Sequence, residues 1–174
     1  DTATEEWDGT NWADGGDLNT GRQGLGTAGI QTAGLGFGGG DPGGNKFAQN
    51  ESYNGTAWTE VADLNTARAF VAGVGTSTAA LAFGGQAGPG VSALNESWNG
   101  SSWTEVGDLN TARLNMGNAG TQTSALSFGG DTGSVVAITE DWNGTSWVEV
   151  ADLSTASRAM ASGGTTTAAF NAGG

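Results

Sequence analysis

Short segments of apolar or alternating residues, separated by turn residues, run along the whole chain. In one stretch, residues 68–76, 79–85, 94–98 and 102–106 each have this pattern, which is typical of β-strands. An Asn-Gly pair between the last two segments predicts a hairpin, because a type I′ turn needs positive φ at both central positions. No segment has a sustained helical period. We therefore predict an all-β fold with four short strands in each such stretch.

The pattern recurs about every 45 residues along the chain. An aromatic residue, then Asn-Gly or Asp-Gly, then a tryptophan occurs four times, ending at Trp12, Trp58, Trp103 and Trp147. A second unit, Asp-Leu-Asn/Ser-Thr followed by arginine, begins at Asp17, Asp63, Asp108 and Asp152 and supplies every arginine: Arg22, Arg68, Arg113 and Arg158. A third unit ends in paired glycines at 38–39, 84–85, 129–130 and 173–174. Four copies in constant order indicate a repeat architecture.

These units resemble the kelch motif: a double glycine after an apolar strand, an aromatic residue, a tryptophan, and an arginine at the start of the next repeat. The resemblance implies a four-bladed β-propeller of four-stranded antiparallel blades. We expect one domain, 1–174, with repeats at about 22–61, 68–106, 113–150 and 158–174, the last completed by residues 3–13. N-terminal strands joining this C-terminal half-blade would remove two exposed sheet edges. The alternative is exchange between two chains to form one eight-bladed ring.

Charge and composition argue against several classes of function. The chain has 18 acidic and five basic residues, for a net charge of −13, and it lacks histidine and cysteine. Such a surface repels nucleic acid and anionic lipid, and no apolar run reaches the ~20 residues of a membrane span. Without histidine or cysteine the usual catalytic bases and nucleophiles are missing, so we expect a protein that is not an enzyme. Glycoside hydrolysis by paired carboxylates is the least favoured alternative.

Two sets of repeat residues are expected to be structural. Each arginine should pair with a carboxylate of the repeated series Glu5, Glu51, Glu96 and Glu140, and so pin one blade to the next. The functional alternative is a basic ring for an anionic ligand. The tryptophans should pack between blades, and the functional alternative is a set of platforms on which sugars stack.

The repeated aspartates are candidates for a metal site. Asp17, Asp63, Asp108 and Asp152 should gather on one face of a propeller. Converging carboxylates could hold calcium, which takes six to eight oxygen ligands. The alternative is ordinary turn structure, in which these side chains accept hydrogen bonds from nearby backbone N–H groups.

The connections after the double glycines vary between repeats, and they should lie on the same face as the Asp-Leu-Asn-Thr turns. Variable loops on a rigid scaffold often carry binding sites. The candidate ligand-binding residues are Asp41, Asn45, Lys46, Phe47, Gln86 and Asp131. We expect a non-enzymatic binding or adhesion module, extracellular or on a virion or cell surface, that contacts glycan or protein. Similar Gly/Thr/Ala-rich kelch arrays occur in tailed-virus fibre and bacterial surface proteins. The alternative is an architectural subunit with only protein neighbours, which includes self-association.

Overall fold

A computed structural model describes residues 1–174 as an all-β protein. The strands are β1 (Glu5–Trp7), β2 (Trp12–Asp14), β3 (Gly26–Ile30), β4 (Ala33–Phe37), β5 (Asn50–Tyr53), β6 (Trp58–Val61), β7 (Ala72–Thr76), β8 (Ala79–Phe83), β9 (Gln86–Ala87), β10 (Gly90–Val91), β11 (Asn95–Trp98), β12 (Trp103–Glu105), β13 (Gly117–Thr121), β14 (Ser124–Phe128), β15 (Thr139–Trp142), β16 (Trp147–Glu149), β17 (Ala161–Thr165) and β18 (Ala168–Ala172). The structure contains no helix that could span a membrane.

Three four-stranded antiparallel sheets form the body of the protein. In the first sheet the strand order is β3-β4-β5-β6, in the second β7-β8-β11-β12, and in the third β13-β14-β15-β16. The inner strands β3, β7, β13 and β17 pack against one another in that order. The prediction of an all-β fold is therefore confirmed, and four short strands form one sheet in three of the four repeats. The small β9–β10 hairpin was not predicted.

Two glycines of the inner strands are required by the hairpins to which they belong. Gly75 and Gly120 both have a φ of +112°, and a Cβ on either would lie within 2.3 Å of a carbonyl oxygen on the neighbouring strand. L-residues with a side chain are strained at such a φ and would clash there. The tight turn of each hairpin therefore requires glycine at these two positions.

The hydrophobic core lies between neighbouring sheets. Phe37 of the first sheet packs edge-on against Trp103 of the second at 5.0 Å between ring centroids. Phe83 of the second sheet packs in the equivalent place against Trp147 of the third at 4.9 Å. Each contact belongs to a separate buried cluster. Trp103 and Trp147 thus pack between sheets as expected.

The two terminal hairpins remain separate two-stranded sheets. β1 pairs only with β2, and β17 pairs only with β18, so the fourth sheet predicted from these halves is not formed in this structure. β17 packs on β13 but does not pack on β3 in the same way, so the two terminal hairpins are not brought edge to edge. As a result Trp12, expected between blades, is 65% exposed, and β18 is exposed along its whole length.

Three arginines form the expected buried ion pairs, but each pair lies within one sheet. Arg68 precedes β7 and binds Glu96 on β11 at 2.9 Å, with both side chains fully buried. Arg22–Glu51 and Arg113–Glu140 repeat this geometry at 2.9 and 2.8 Å. The link to the preceding sheet is made instead by the connecting segment, because the backbone N–H of Asn65 donates to the same Glu96 carboxylate.

The prediction that Arg158 pairs with Glu5 is wrong. Arg158 follows Asp152 by six positions, whereas the other arginines follow their aspartates by five. Ser157 consequently takes the buried position, and its carbonyl accepts the Gly130 N–H at 2.8 Å as the carbonyl of Arg113 accepts that of Gly85. Arg158 lies one residue further on with a half-exposed side chain, and it pairs with Asp131.

Candidate functional site

The loops after the double glycines all lie at one end of the sheets. Each forms a small hairpin, closed by the Gly40–Lys46 bridge, the β9–β10 pair or the Asp131–Val135 bridge. The segment after β6 reaches the same end, because the Asp63 carboxylate accepts the N–H of Asn50 at the start of β5. The prediction that both sets of loops share a face is confirmed, and we call this end the loop face.

A pocket of about 200 Å³ opens on the loop face between the first and second sheets. It is lined by Asp41, Asn45 and Lys46 from the first loop, and by Gln86 from the second. Its floor is fixed by backbone bridges that join Gly40 to the segment before β3 and Gln86 to the segment before β7. The fold thus brings four of the six predicted binding residues together from positions far apart in sequence.

The first loop is preorganised by its own polar groups. Asn45 donates to the Asp41 carboxylate through its backbone N–H at 3.0 Å and through its side-chain amide at 2.7 Å. These hydrogen bonds, the side-chain bond first, lower the pKa of Asp41 below its ordinary value. The ammonium of Lys46, the only lysine, donates to the carbonyl of Gly44 at 3.1 Å. The pocket therefore presents a carboxylate, an ammonium and two amide groups.

Phe70 is a pocket residue that sequence reasoning missed. It lines the same pocket and is 37% exposed, and its φ is +56°. Positive φ is costly for an aromatic residue and clusters at functional sites. However, Asn115 and Ala159 hold equivalent positions with φ values of +55° and +52°, so this backbone shape belongs to the repeat. The sequence held one sign of this backbone shape: the equivalent position in the first repeat is Gly24, a residue type that readily adopts positive φ.

Two predicted binding residues lie outside the pocket. Phe47 is half-buried and is part of the backbone network, since its N–H donates to Gly39 and its carbonyl accepts from Arg68. Asp131 lies on the third loop, where its carboxylate accepts the N–H of Gly133 and pairs with Arg158. These two interactions, the backbone hydrogen bond first, lower the pKa of Asp131. Both residues therefore have structural partners.

The aspartates proposed as a calcium site do not form a cluster. Asp63, Asp108 and Asp152 each accept a backbone N–H at the start of the third strand of their own sheet, at 3.0–3.2 Å. No group of three or more acidic side chains is placed to hold a metal ion. Because the three carboxylates act separately in three sheets, the calcium ring predicted from Asp17, Asp63, Asp108 and Asp152 is not assembled.

A larger cavity of about 580 Å³ lies where the inner strands meet the N-terminal hairpin. We call it the central cleft. One wall is formed by the β1–β2 residues Glu6, Trp7 and Trp12, and another by Tyr53 and Trp58 of the first sheet. The glycines of β3, β7, β13 and β17 also line it. Sequence reasoning did not predict this cavity, because the prediction placed a complete fourth sheet there.

The N-terminal hairpin is held against the first sheet. Trp58 donates its indole N–H to Thr4 Oγ1 at 2.9 Å. Tyr53 donates its hydroxyl to the Glu6 carboxylate, and this hydrogen bond raises the pKa of Tyr53. Glu5 and Glu6, which are consecutive on β1, both line the central cleft.

No protein-family model and no curated protein sequence matches this chain. Its fold is similar to that of a solved structure titled "Structure of YjhT", with a TM-score of 0.78 and 13% sequence identity. The match covers 93% of this chain and 63% of that one, so the chain spans less than two thirds of the solved protein. At this level of identity the likeness concerns the fold alone.

Proposed function

We propose that this chain is a non-enzymatic recognition module that binds glycan or protein through the loop face, on a cell or virion surface outside the cytoplasm. The observation that carries the proposal is the pocket that unites Asp41, Asn45, Lys46 and Gln86. These residues come from loops that vary between repeats, whereas the sheets beneath them repeat. A rigid repeated scaffold with variable loops is a common design for binding proteins.

The finer architecture belongs to the same proposal. The sheets are the blades of a kelch-like β-propeller, and the fourth blade consists of a β17–β18 half and a β1–β2 half. The shared strand order and the buried arginine–glutamate pairs of the three complete sheets support this view.

The size and the polar groups of the pocket suit a small polar part of a ligand. At about 200 Å³ it is smaller than the roughly 300–1,000 Å³ of sites for drug-sized ligands, which suits one sugar ring or one peptide side chain. The amides of Asn45 and Gln86 and the carboxylate of Asp41 can exchange hydrogen bonds with hydroxyl groups. The ring of Phe70 supplies an apolar surface beside them.

Catalysis is not part of the proposal. The chain contains no histidine or cysteine. The paired carboxylates of a glycosidase would have to face each other across a substrate. In the central cleft, Glu5 and Glu6 are adjacent on the same strand and do not face each other across the cavity, and Glu6 is bound by Tyr53.

A glycan array and a panel of surface proteins test this function, with wild-type protein compared with Lys46→Ala and Asn45→Ala. Loss of a hydrogen bond to a charged group should weaken binding about tenfold or more for Lys46→Ala. Val135→Ala is the matched control, because it alters the third loop, which does not line the pocket. Binding that is unchanged in both pocket variants would contradict the proposed site.

One observation favours an architectural subunit as the second candidate. Both terminal hairpins have an unpaired strand edge and exposed aromatic residues, and such edges pair readily with other chains. A protein that binds no glycan or foreign protein but assembles with itself would support this candidate over recognition.

A further inference from the structure

The two terminal hairpins are complementary halves of one sheet. β1 and β2 correspond to the third and fourth strands of a complete sheet, and β17 and β18 correspond to the first and second. We propose that β17–β18 of one copy of this chain pairs with β1–β2 of a second copy, which forms a shared sheet. This inference rests on the propeller architecture proposed above and identifies the partner that completes the fourth sheet.

The complete sheets define the register of the shared sheet. In the second sheet Trp98 lies opposite Ala80, and Glu96 lies opposite Ala82. The third sheet pairs Trp142 with Ala125 and Glu140 with Ser127. The same register places Trp7 opposite Ala169 and Glu5 opposite Asn171, so the free edge of β18 receives the free edge of β1.

The shared sheet would cover the exposed tryptophans of the N-terminal hairpin. Every complete interface packs a phenylalanine of one sheet on a tryptophan of the next, as in Phe83–Trp147. Phe128 holds the equivalent phenylalanine position in the third sheet, and Trp12 holds the equivalent tryptophan position. Phe128 of one copy would therefore contact Trp12 of the other, which is 65% exposed in the single chain.

The C-terminal hairpin carries a matching aromatic residue for the central cleft. Position 172 is alanine where the other sheets have phenylalanine, but Phe170 lies two residues earlier on the same face of β18 and is 60% exposed. In the shared sheet this face turns toward the next sheet, where Tyr53 and Trp58 line the cleft. Phe170 of one copy would therefore cover the aromatic wall of the other.

The junction lacks the buried arginine–glutamate pair of the complete sheets, but its two hairpins do not repel each other. Glu5 would take the position of the glutamates that Arg22, Arg68 and Arg113 bind in the complete sheets. In the C-terminal hairpin Ser157 replaces that arginine, and its hydroxyl accepts a hydrogen bond from Asn171 Nδ2 at 3.1 Å. Residues 153–174 contain no acidic side chain, and their one charged side chain is Arg158. This hairpin can therefore approach the acidic β1–β2 hairpin without repulsion.

Pairing between two copies preserves the contacts that hold each hairpin. β17–β18 is bound to the third sheet, where Ser162 Oγ accepts the N–H of Asn118 at 3.0 Å. The β1–β2 hairpin is bound to the first sheet through Thr4 and Trp58. For one chain to join its own halves, the row of sheets would have to curve more tightly so that β17 packs on β3. Two copies joined head to tail at both ends would form a closed ring in which β17 of each chain packs on β3 of the other.

Cysteine cross-linking tests the shared sheet, because the chain has no cysteine of its own. Thr4→Cys and Ala172→Cys take positions equivalent to the paired residues Asn95 and Phe83. Two singly substituted proteins with different tags should form a mixed disulfide when they are combined and oxidised. The control pair, Thr4→Cys with Asn171→Cys, is out of register by one residue and points to opposite faces, so it should not cross-link.

Light scattering on a sizing column measures the assembly directly. The wild type should have about twice the 17.2 kDa mass of the chain, and Phe170→Asp should reduce the mass to that of one chain while preserving the circular dichroism spectrum. Val148→Asp is the matched control, since Val148 is similarly exposed, at 51%, but lies on β16. A wild type with the mass of one chain, or a doubly substituted Thr4→Cys/Ala172→Cys protein that cross-links only within itself, would overturn the inference. Neither result would bear on the binding function proposed for the loop face, which the Lys46→Ala variant tests separately.

Discussion

One position, which lies just before the first strand of each sheet, distinguishes the fourth repeat from the others. Arg22, Arg68 and Arg113 are buried there, and each is bound to a carboxylate of its own sheet. Burial lowers the pKa of Arg68, and the attraction of Glu96 opposes that change. In the fourth repeat one additional residue moves Arg158 to the surface and leaves Ser157 inside.

Removing Arg68 should therefore be far more costly than removing Arg158. Arg68→Ala leaves Glu96 buried without its counter-charge, and breaking a buried pair in this way lowers the free energy of unfolding by about 3–5 kcal/mol. Arg158→Ala removes a half-exposed pair and should cost no more than about 1 kcal/mol. Urea denaturation followed by tryptophan fluorescence measures both values. Equal losses for the two variants would contradict the assigned burial.

At the scale of an element, the first variable loop is held together by a carboxylate. The Asp41 pKa is lowered from the ordinary value of 3.8 because the side chain and backbone N–H of Asn45 donate to its ionised form. A lowered pKa means that the folded loop favours the ionised carboxylate. The stabilisation is complete above pH 3.8 and is lost as the pH falls through the lower folded value.

The pocket should consequently loosen only in acid. When the pH is lowered from neutrality, the backbone amide resonance of Asn45 should shift with a midpoint below the ordinary aspartate value of 3.8. Proton NMR on labelled protein measures this titration. The Asp41→Ala variant should lack it, and a midpoint at or above 3.8 in the wild type would show that Asn45 does not bind the carboxylate.

At the scale of the whole molecule, stability is distributed over sheet–sheet interfaces. One buried cluster joins the first and second sheets, and another joins the second and third. Such a protein resembles a repeat array, in which each unit is stabilised mainly by its neighbours. Damage at one interface should therefore be local.

Replacing Phe83 should loosen the interface between the second and third sheets first. Phe83 is fully buried and packs on Trp147, and Phe83→Ala should cost about 3–5 kcal/mol of unfolding free energy. Hydrogen exchange should accelerate in β13–β16 more than in β3–β6. Val148→Ala is the control on an exposed strand position and should change little. A uniform loss of protection across all sheets would contradict independent interfaces.

The local features of this protein could be predicted from the amino-acid sequence. Strand positions, hairpin turns and the four repeats depend on periodicity and on glycine and asparagine in turns, which act over a few residues. The buried pairs of Arg22, Arg68 and Arg113 also followed from the repeat. Four of the six proposed binding residues, Asp41, Asn45, Lys46 and Gln86, meet in one pocket because their loops occupy equivalent places on neighbouring sheets.

Only the tertiary structure decided how the repeats meet. The surface position of Arg158, the separation of Asp63, Asp108 and Asp152 and the open central cleft depend on distances between residues remote in sequence. The repeat pattern specifies which side chains pack between neighbouring sheets, because every interface uses the same types of side chain. It does not specify the curvature of the row of sheets, which is set by how closely the inner strands pack. That curvature leaves the outer edges of β1 and β18 unpaired, whereas the sequence pattern had placed the two strands side by side in one sheet.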